Sequence, residues 1–188
     1  GQQVFQVRTN ERGSLPVEQL INAENSRVFG VESELGLRFD GFKGSIALGW
    51  LDTAYTDFRN ELVSFSAGGD RQVRITDDSG NRLVNAPELS VTGSVSYQID
   101  LNRFGVVEPR FDYRYKSTVY FTPANTEREG DDPRWIFDLR IDYREPAGRF
   151  RVGFWVRNFL SEIYRKTTNS DGHAVISDPR TYGATMVL

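Results

Sequence analysis

GVESELGLRF (residues 30–39) has two chemically different sides when it is written as a β-strand. Side chains alternate between the two faces of a strand, so one face carries Val31, Ser33, Leu35, Leu37 and Phe39. The opposite face carries Glu32, Glu34, Gly36 and Arg38. Such a segment needs an apolar surrounding on one side and a polar one on the other, as in a soluble sandwich or the wall of a membrane barrel.

The same alternation recurs along the chain and predicts eight strands. They are expected at residues 2–8, 26–39, 43–58, 88–101, 105–121, 134–145, 149–161 and 180–188. The connections alternate in length: 40–42, 102–104 and 146–148 are tight turns, and 9–25, 59–87, 122–133 and 162–179 are long and polar. Tight turns at one end and long loops at the other are typical of an outer-membrane barrel, whereas a sandwich has water at both ends.

Strand length and aromatic placement favour the same interpretation. A thirteen-residue strand spans about 43 Å at roughly 3.3 Å per residue, and a tilt of about 45° leaves a height of about 30 Å, close to the hydrocarbon thickness of a bilayer. Aromatic residues gather at both strand ends and predict two interfacial girdles. Those near the tight turns are Phe39, Phe42, Phe104, Tyr143 and Phe150, and those near the long loops are Tyr120, Phe121, Trp135 and Tyr164.

We therefore expect the apolar face to meet lipid and the charged face to meet a wet or protein-filled lumen. The lumen face carries mixed charges on two neighbouring strands, 107–121 and 135–144. Opposite charges on adjacent strands are expected to form ladders across the pair. One outward position departs from the pattern, because Asp52 follows Ile46, Leu48 and Trp50 on the apolar parity. A β-bulge or a position above the hydrocarbon would each explain it.

Composition narrows the functional classes. The chain has 188 residues, enough for one domain with its own hydrophobic core. Its net charge is −3, so the protein lacks the overall positive charge that would suggest binding to nucleic acid. It has no cysteine, which excludes a disulfide frame, thiol catalysis and cysteine zinc sites. No apolar run approaches the ~18 residues of a membrane helix. The chain opens on a strand-like segment with no signal peptide, as expected of a mature protein or an internal fragment.

Five segments resemble TonB-dependent outer-membrane receptors, in the order that the family has them. They are NAENSRVFGVESELGLRF (22–39), GWLDTAYTDF (49–58), GNRLVNAPELSVTGSVSY (80–97), VRNFLSEIYRK (156–166) and DPRTYGATMVL (178–188). The resemblance implies an all-β, antiparallel transmembrane β-barrel, of which residues 1–188 are the last eight of 22 strands. The plug and the TonB-contacting box have no counterpart here, and the family's usual terminal aromatic is absent.

The resemblance also implies a function. Such receptors import a scarce nutrient, most often a ferric siderophore, across the Gram-negative outer membrane with energy from TonB. The expected partners are therefore TonB, through the plug, the ferric siderophore or a similar ligand, and outer-membrane lipid. No enzymatic activity, cofactor or nucleic-acid partner is expected, and the identity of the ligand stays open.

Two alternatives belong to other classes. A complete eight-stranded outer-membrane barrel would act as an adhesin or structural anchor, and a soluble β-sandwich would be a binding module. In a barrel fragment, residues 2–8 and 180–188 should not pair with each other, whereas a closed small barrel requires that they do.

The remaining motifs are interpreted as structural. Gly30 and Gly183 should permit close backbone approach or β-bulges. Pro87 should mark the entry of a loop into a strand, and the side chain of Asn158 should bond to loop backbone.

Candidate chemistry is sparse, and we commit to no catalytic, cofactor-binding or metal-binding residue. Ser170, Asp171 and His173 are sequence neighbours, but a catalytic triad is assembled in space. The acidic loops DDSGN (77–81) and EGDD (129–132) are weak grounds for a cation site. The loop residues whose chemistry suits an anionic chelate are Arg71, Arg74, Arg82, Arg128 and Tyr164, although a solvated loop surface explains them equally well.

Overall fold

The computed structural model describes residues 3–8, 17–22, 25–65, 71–168 and 173–188. These residues form sixteen strands and two short 3₁₀ helices, Asn102–Phe104 and Glu127–Glu129. The strands are β1 (Gln3–Arg8), β2 (Val17–Asn22), β3 (Asn25–Phe39), β4 (Phe42–Asp57), β5 (Arg59–Phe65), β6 (Arg71–Asp77), β7 (Leu89–Tyr97), β8 (Ile99–Asp100), β9 (Val106–Lys116), β10 (Val119–Tyr120), β11 (Gly130–Asp131), β12 (Arg134–Arg144), β13 (Arg151–Arg157), β14 (Arg165–Thr168), β15 (Ala174–Ile176) and β16 (Thr181–Val187). No helix in the described part of the chain is long and apolar enough to cross a membrane.

One large antiparallel sheet dominates the fold. Its strand order is β16-β13-β12-β9-β7-β4-β3, and β8 continues the course of β7 beside β9. Consecutive long strands are therefore neighbours, as expected when short turns join them. The predicted tight turns 40–42, 102–104 and 146–148 lie at one end of this meander, and the described parts of the predicted loops 59–87, 122–133 and 162–179 lie at the other.

The sheet is open, which decides between the barrel hypotheses. Among the described residues, β3 pairs in the sheet only with β4, and β16 pairs only with β13. β1 pairs with β2 rather than with β16, so the prediction that residues 2–8 and 180–188 do not pair is confirmed. A closed eight-stranded barrel is excluded for this chain, because such a barrel leaves no strand edge free.

Two details of the strand prediction were wrong. Residues 2–8 do contain a strand, but it forms a separate two-stranded sheet with Val17–Asn22, inside the segment expected to be a loop. The long loops also contain strands of their own: β5 pairs with β6, β10 with β11, and β14 with β15. A backbone pairing within a long excursion satisfies its own hydrogen bonds and needs no support from the main sheet.

The turn between β3 and β4 shows why the sequence makes a tight connection. Asp40 and Gly41 both have positive φ, 41° and 78°, which favours the Asp-Gly pair in a two-residue hairpin turn. The carbonyl oxygen of Gly41 accepts a hydrogen bond of 2.8 Å from the backbone N–H of Gln98. This turn is thereby tied to the strand on its other side.

The two faces of the sheet differ as the alternation predicts. Facing residues such as Leu139 and Val156 share the apolar side, and Val95 and Phe111 do the same one strand pair away. These side chains lie uncovered: Val31 is 56% exposed and Phe154 is 62% exposed. Within the described residues no second layer packs on this face, so the soluble sandwich, which buries such a face against another sheet, is excluded.

The most deeply buried apolar residues lie at the loop end instead. Tyr55 and Phe58 stack with ring centroids 4.9 Å apart, and Leu83 completes this small cluster. Because Leu83 belongs to the connection into β7, the cluster fixes the base of that loop against the end of β4.

The aromatic residues near the tight turns pair as the girdle prediction requires. The rings of Phe39 and Phe42 lie 5.1 Å apart, and those of Tyr143 and Phe150 lie 6.0 Å apart. The Tyr143 hydroxyl also donates a hydrogen bond of 2.9 Å to the carbonyl oxygen of Phe104. One rim of the apolar face is therefore lined by aromatic groups.

At the loop end the apolar face also finishes in aromatic residues. Trp135 packs 4.9 Å from Tyr115, and Phe29 packs edge-on against Trp50 at 5.9 Å. Tyr164 differs from the prediction, because its ring lies against Arg134, a residue of the charged face.

The irregular outward position Asp52 has a simple explanation. The register between β3 and β4 is continuous there, with Asp52 opposite Phe29, and shifts only at Asn25 and Ser26. A bulge at Asp52 is therefore excluded. Its carboxylate accepts a hydrogen bond of 3.0 Å from Arg27, one step beyond the last aromatic pair of the apolar face. This ion pair fits a position above the hydrocarbon.

Candidate functional site: a charged wall and a rim of tied loops

The charged face of the sheet is arranged in rows of like charge. Across β9 and β12, Asp112 lies opposite Asp138, and Arg110 lies opposite Arg140. The expected ladders of opposite charges across the strand pair were therefore wrong. The register is set by the turns and by the apolar face, and it places equal signs in the same row.

Neutralisation occurs along the strands and on diagonals. Arg110 contacts Asp112 two residues further along its own strand, with the closest atoms 2.6 Å apart, and Arg140 contacts Asp142 in the same way at 2.5 Å. On a diagonal, Arg114 donates to Asp138 over 2.8 Å. Each of these half-exposed ion pairs contributes little to stability, but together they balance most of the charge on this face of β9 and β12.

A further diagonal pair reaches over β7. The ammonium group of Lys43 donates to Glu108 over 2.9 Å, and the hydroxyl of Ser96 donates to the same carboxylate oxygen over 2.9 Å. On the intervening strand β7, Ser96 lies opposite Lys43, and its small side chain leaves room for these long side chains to meet. The charged face of the opening stretch is different, since Glu32 and Glu34 make no ion pair within the described residues.

At the loop end, side-chain amides tie separate loops together. The backbone N–H of Arg82 donates to the Asn125 side-chain oxygen over 2.7 Å, and the Asn125 amide returns a bond of 3.0 Å to the Arg82 carbonyl. Asn81 adds a bond of 2.9 Å to the carbonyl oxygen of Pro123. These bonds join the loop before β7 to the loop after β10.

Asn158 performs the predicted structural task at the next loop. Its side-chain amide donates to the carbonyl oxygens of Glu162 and Asp178, and its side-chain oxygen accepts from the Glu162 backbone N–H at 2.9 Å. Its own backbone N–H donates to Asp138 over 2.8 Å. One buried side chain thus holds both ends of the loop between β13 and β16.

A cluster around Asp131 connects the last two loops, and sequence reasoning missed it. Asp131 forms an ion pair with Arg134 and accepts a hydrogen bond of 2.8 Å from the Arg165 backbone N–H. The Arg165 guanidinium donates to the carbonyl oxygen of Gly130 over 2.8 Å, and the ring of Tyr164 lies 4.0 Å from the Arg134 guanidinium carbon. The two arginines are far apart in sequence, so only the EGDD motif gave a local signal.

The acidic loop motifs have structural roles. Asp131 of EGDD is engaged by arginine and backbone, as described above. Asp77 of DDSGN accepts the Ser79 backbone N–H at 3.0 Å, and the hydrogen bonds from Ser79 lower the pKa of this carboxyl. Where the structure describes the chain, no group of three or more potential ligands is placed to hold a metal ion.

Of the loop residues that suited an anionic chelate, the three with described side chains are not assembled into one site. Arg82 pairs with Glu88, Tyr164 covers Arg134, and Arg128 lies in an exposed 3₁₀ helix. The side chains of Arg71 and Arg74 lie outside the described residues. Ser170 and Asp171 are also outside them, and His173 is exposed.

The open antiparallel sheet, with one apolar face and one charged face, has the features expected of part of a larger membrane barrel. Sequence comparison identifies the family. The family model "TonB dependent receptor-like, beta-barrel" matches residues 2–159. The chain belongs to this TonB-dependent receptor family. Comparison with curated proteins gave no match.

Solved structures show the same fold as this TonB-dependent receptor chain. The siderophore receptor PiuA from Acinetobacter baumannii has a TM-score of 0.67 at 19% identity, over 86% of this chain and 21% of PiuA. BauA, the ferric preacinetobactin receptor of the same organism, has a TM-score of 0.65 at 15% identity, over 98% of this chain and 25% of BauA. The ferric yersiniabactin uptake receptor FyuA from Yersinia pestis has a TM-score of 0.55 at 15% identity, over 97% of this chain and 32% of FyuA.

These comparisons fix the general class. The family and its solved members are outer-membrane transport receptors rather than enzymes. The chain spans between about a fifth and a third of the length of these receptors. It is therefore a fragment of a larger barrel.

Proposed function

We propose that residues 1–188 are the C-terminal part of an outer-membrane receptor that imports a ferric siderophore with energy from TonB. The observation that carries this proposal is the family match together with an open sheet whose apolar face is uncovered. A face of this kind is stable only against lipid or another apolar surface. Membership of the receptor family makes lipid the surrounding that fits.

The loop end supports a role in ligand capture. Asn125, Asn158 and Asp131 tie the bases of three loops into a continuous rim, defined here as the tied loop rim. Hairpins β5–β6 and β14–β15 extend the loops that this rim anchors. A ligand-capturing surface benefits from such an arrangement, because a rigid base positions the loop tips.

The siderophore assignment draws on the names of the structural neighbours. PiuA, BauA and FyuA are described as receptors for siderophores or their ferric complexes. We extend that ligand class to this receptor as a proposal. A plug outside residues 1–188 would complete the receptor and would carry the contact with TonB.

The direct test is uptake of radioactive iron supplied as ferric siderophores of different classes. Cells that produce the full-length receptor should take up at least one of them, and deletion of either the receptor gene or the tonB gene should abolish that uptake. Uptake that survives loss of TonB would contradict the proposed energy source. Unchanged uptake of every siderophore after deletion of the receptor would contradict the ligand class.

A further inference from the structure

Two arginines near the tight turns have no anionic partner in the part of the chain that the structure describes. Arg144 and Arg151 lie directly opposite each other across β12 and β13, on the charged face of the sheet, and both are exposed. We call them the arginine pair. Like charges placed directly opposite each other in an antiparallel pair destabilise it. Neither guanidinium makes an ion pair or a side-chain hydrogen bond within the described residues.

The arginine pair borders a recess of about 270 Å³ whose carboxylates are already engaged. The recess is lined by Lys43, Val106, Glu108, Asp142, Arg144 and Arg151. Asp142 accepts two hydrogen bonds from Arg140, at 2.5 and 2.8 Å, and Glu108 accepts from Lys43 at 2.9 Å. These two cations offset the two carboxylates, which leaves Arg144 and Arg151 without a counter-charge among the residues that line the recess.

The chemistry of this recess fits a carboxylate. A guanidinium presents a planar fork of N–H donors that matches two carboxylate oxygens, and two such groups on one anion remove their mutual repulsion. Three arginines elsewhere on the charged face each have a carboxylate partner, in the pairs Arg110–Asp112, Arg114–Asp138 and Arg140–Asp142. Arg144 and Arg151 differ from these arginines, because they face each other directly and neither has a carboxylate partner among the described residues.

No described residue supplies this partner, and the rest of the receptor is the larger source of acidic side chains. Both edges of the sheet are free, and the chain spans only 21–25% of PiuA and BauA, so most of such a receptor lies elsewhere in its sequence. In a closed barrel the charged face encloses the interior, and the recess opens toward whatever fills it. We propose that the arginine pair docks an aspartate or glutamate side chain from the part of the receptor outside residues 1–188. This inference rests on the proposed function, because it requires the larger receptor.

Zero-length cross-linking of the full-length receptor tests the proposal. In a variant with both Arg144→Lys and Arg151→Lys, a carbodiimide should join an introduced lysine to the docked carboxylate, and mass spectrometry identifies the linked peptide. The proposal requires a link to an acidic residue outside residues 1–188. Links only to Glu108 or Asp142, or no link from these positions, would overturn it. Arg114→Lys is the matched control, since it should link to Asp138, 2.8 Å from the native guanidinium.

Thermal unfolding gives a second, independent readout with a definite sign. If the arginine pair has no partner, Arg144→Gln with Arg151→Gln removes a repulsion, and the unfolding midpoint of the full-length receptor should stay or rise. If the pair docks a carboxylate, the same change strands that anion and the midpoint should fall. A midpoint that does not fall would overturn the proposal. Iron uptake by the double lysine variant tests the proposed function separately. If uptake persists, the receptor assignment stands whether or not the arginine pair docks a carboxylate.

Discussion

Replacing Val95 by arginine tests which face of the sheet meets lipid. Val95 is 37% exposed on the apolar face, beside Phe111 on β9 and opposite Gly44 on β4. Its neighbour Ser94 faces the other way, with its hydroxyl 3.0 Å from that of Ser45 and its backbone opposite Asp112. Arginine at these two adjacent positions therefore enters two different surroundings.

The expected magnitude follows from the depth of residue 95. It is the midpoint of the segment 89–101, and six residues at about 3.3 Å with a tilt of about 45° place it about 14 Å from either end. This is close to the middle of a hydrocarbon layer about 30 Å thick. Val95→Arg should therefore cost about 2–4 kcal/mol of unfolding free energy. Ser94→Arg should cost roughly 0.5 kcal/mol, because its guanidinium meets water and the carboxylate of Asp112.

The assay is denaturant unfolding of the full-length receptor in lipid vesicles, with both variants measured under the same conditions. Val95→Leu is the control, since it keeps the apolar character and should change the unfolding free energy little. Equal costs at positions 94 and 95 would refute the assignment of the two faces. A larger cost at position 94 would mean that the sheet is turned the other way.

Three further predictions concern packing, loop anchoring and protonation. Gly183→Ala should destabilise the receptor by about 1–3 kcal/mol in the same unfolding assay, because the new Cβ would lie 2.5 Å from an indole carbon of Trp155 on the neighbouring strand. Gly36→Ala is the control and should be neutral, because no atom lies within 4 Å of its new Cβ. Asn158→Ala should leave the sheet folded but make the loop between β13 and β16 more susceptible to protease, because the buried amide bonds that close the loop are lost. The hydrogen bond from Arg149 lowers the pKa of Glu145, so its NMR titration should lie below the ordinary glutamate range and move upward in Arg149→Gln. The stabilisation from this pair is present at neutral pH and is lost as the pH falls through the lowered pKa.

The strand pattern and its two faces were predictable from sequence because side-chain parity is a local property. In the segment Leu89–Leu101, every odd residue is apolar or glycine and every even residue is polar, and the structure confirms that division for β7. The tight turn at Asp40 and Gly41 was likewise predictable, since Asp-Gly favours positive φ at both positions. The family motifs added the larger barrel, which parity alone does not give.

The relative register of the strands was not predictable. On the charged faces of β9 and β12, positive and negative residues alternate with the same period. A slip of two residues would keep every side chain on its own face of the sheet, but it would place opposite charges across the strand pair instead of like charges. The structure places Asp112 opposite Asp138, and balance comes from neighbours along the strand. The Asp131 cluster was missed for a related reason, because Arg165 lies 34 residues away in sequence and meets it only after the loops fold.

The most direct test of the account is accessibility from the two sides of the outer membrane. The chain has no cysteine, so single cysteines can be introduced at Ser79, in the loop before β7, and at Asn102, in a tight turn. In whole cells that produce the full-length receptor with no other accessible thiol, a membrane-impermeant maleimide should label Ser79→Cys. It should label Asn102→Cys only after the outer membrane is opened. Equal labelling of both positions in intact cells would contradict a wall that spans the membrane with its loops outside.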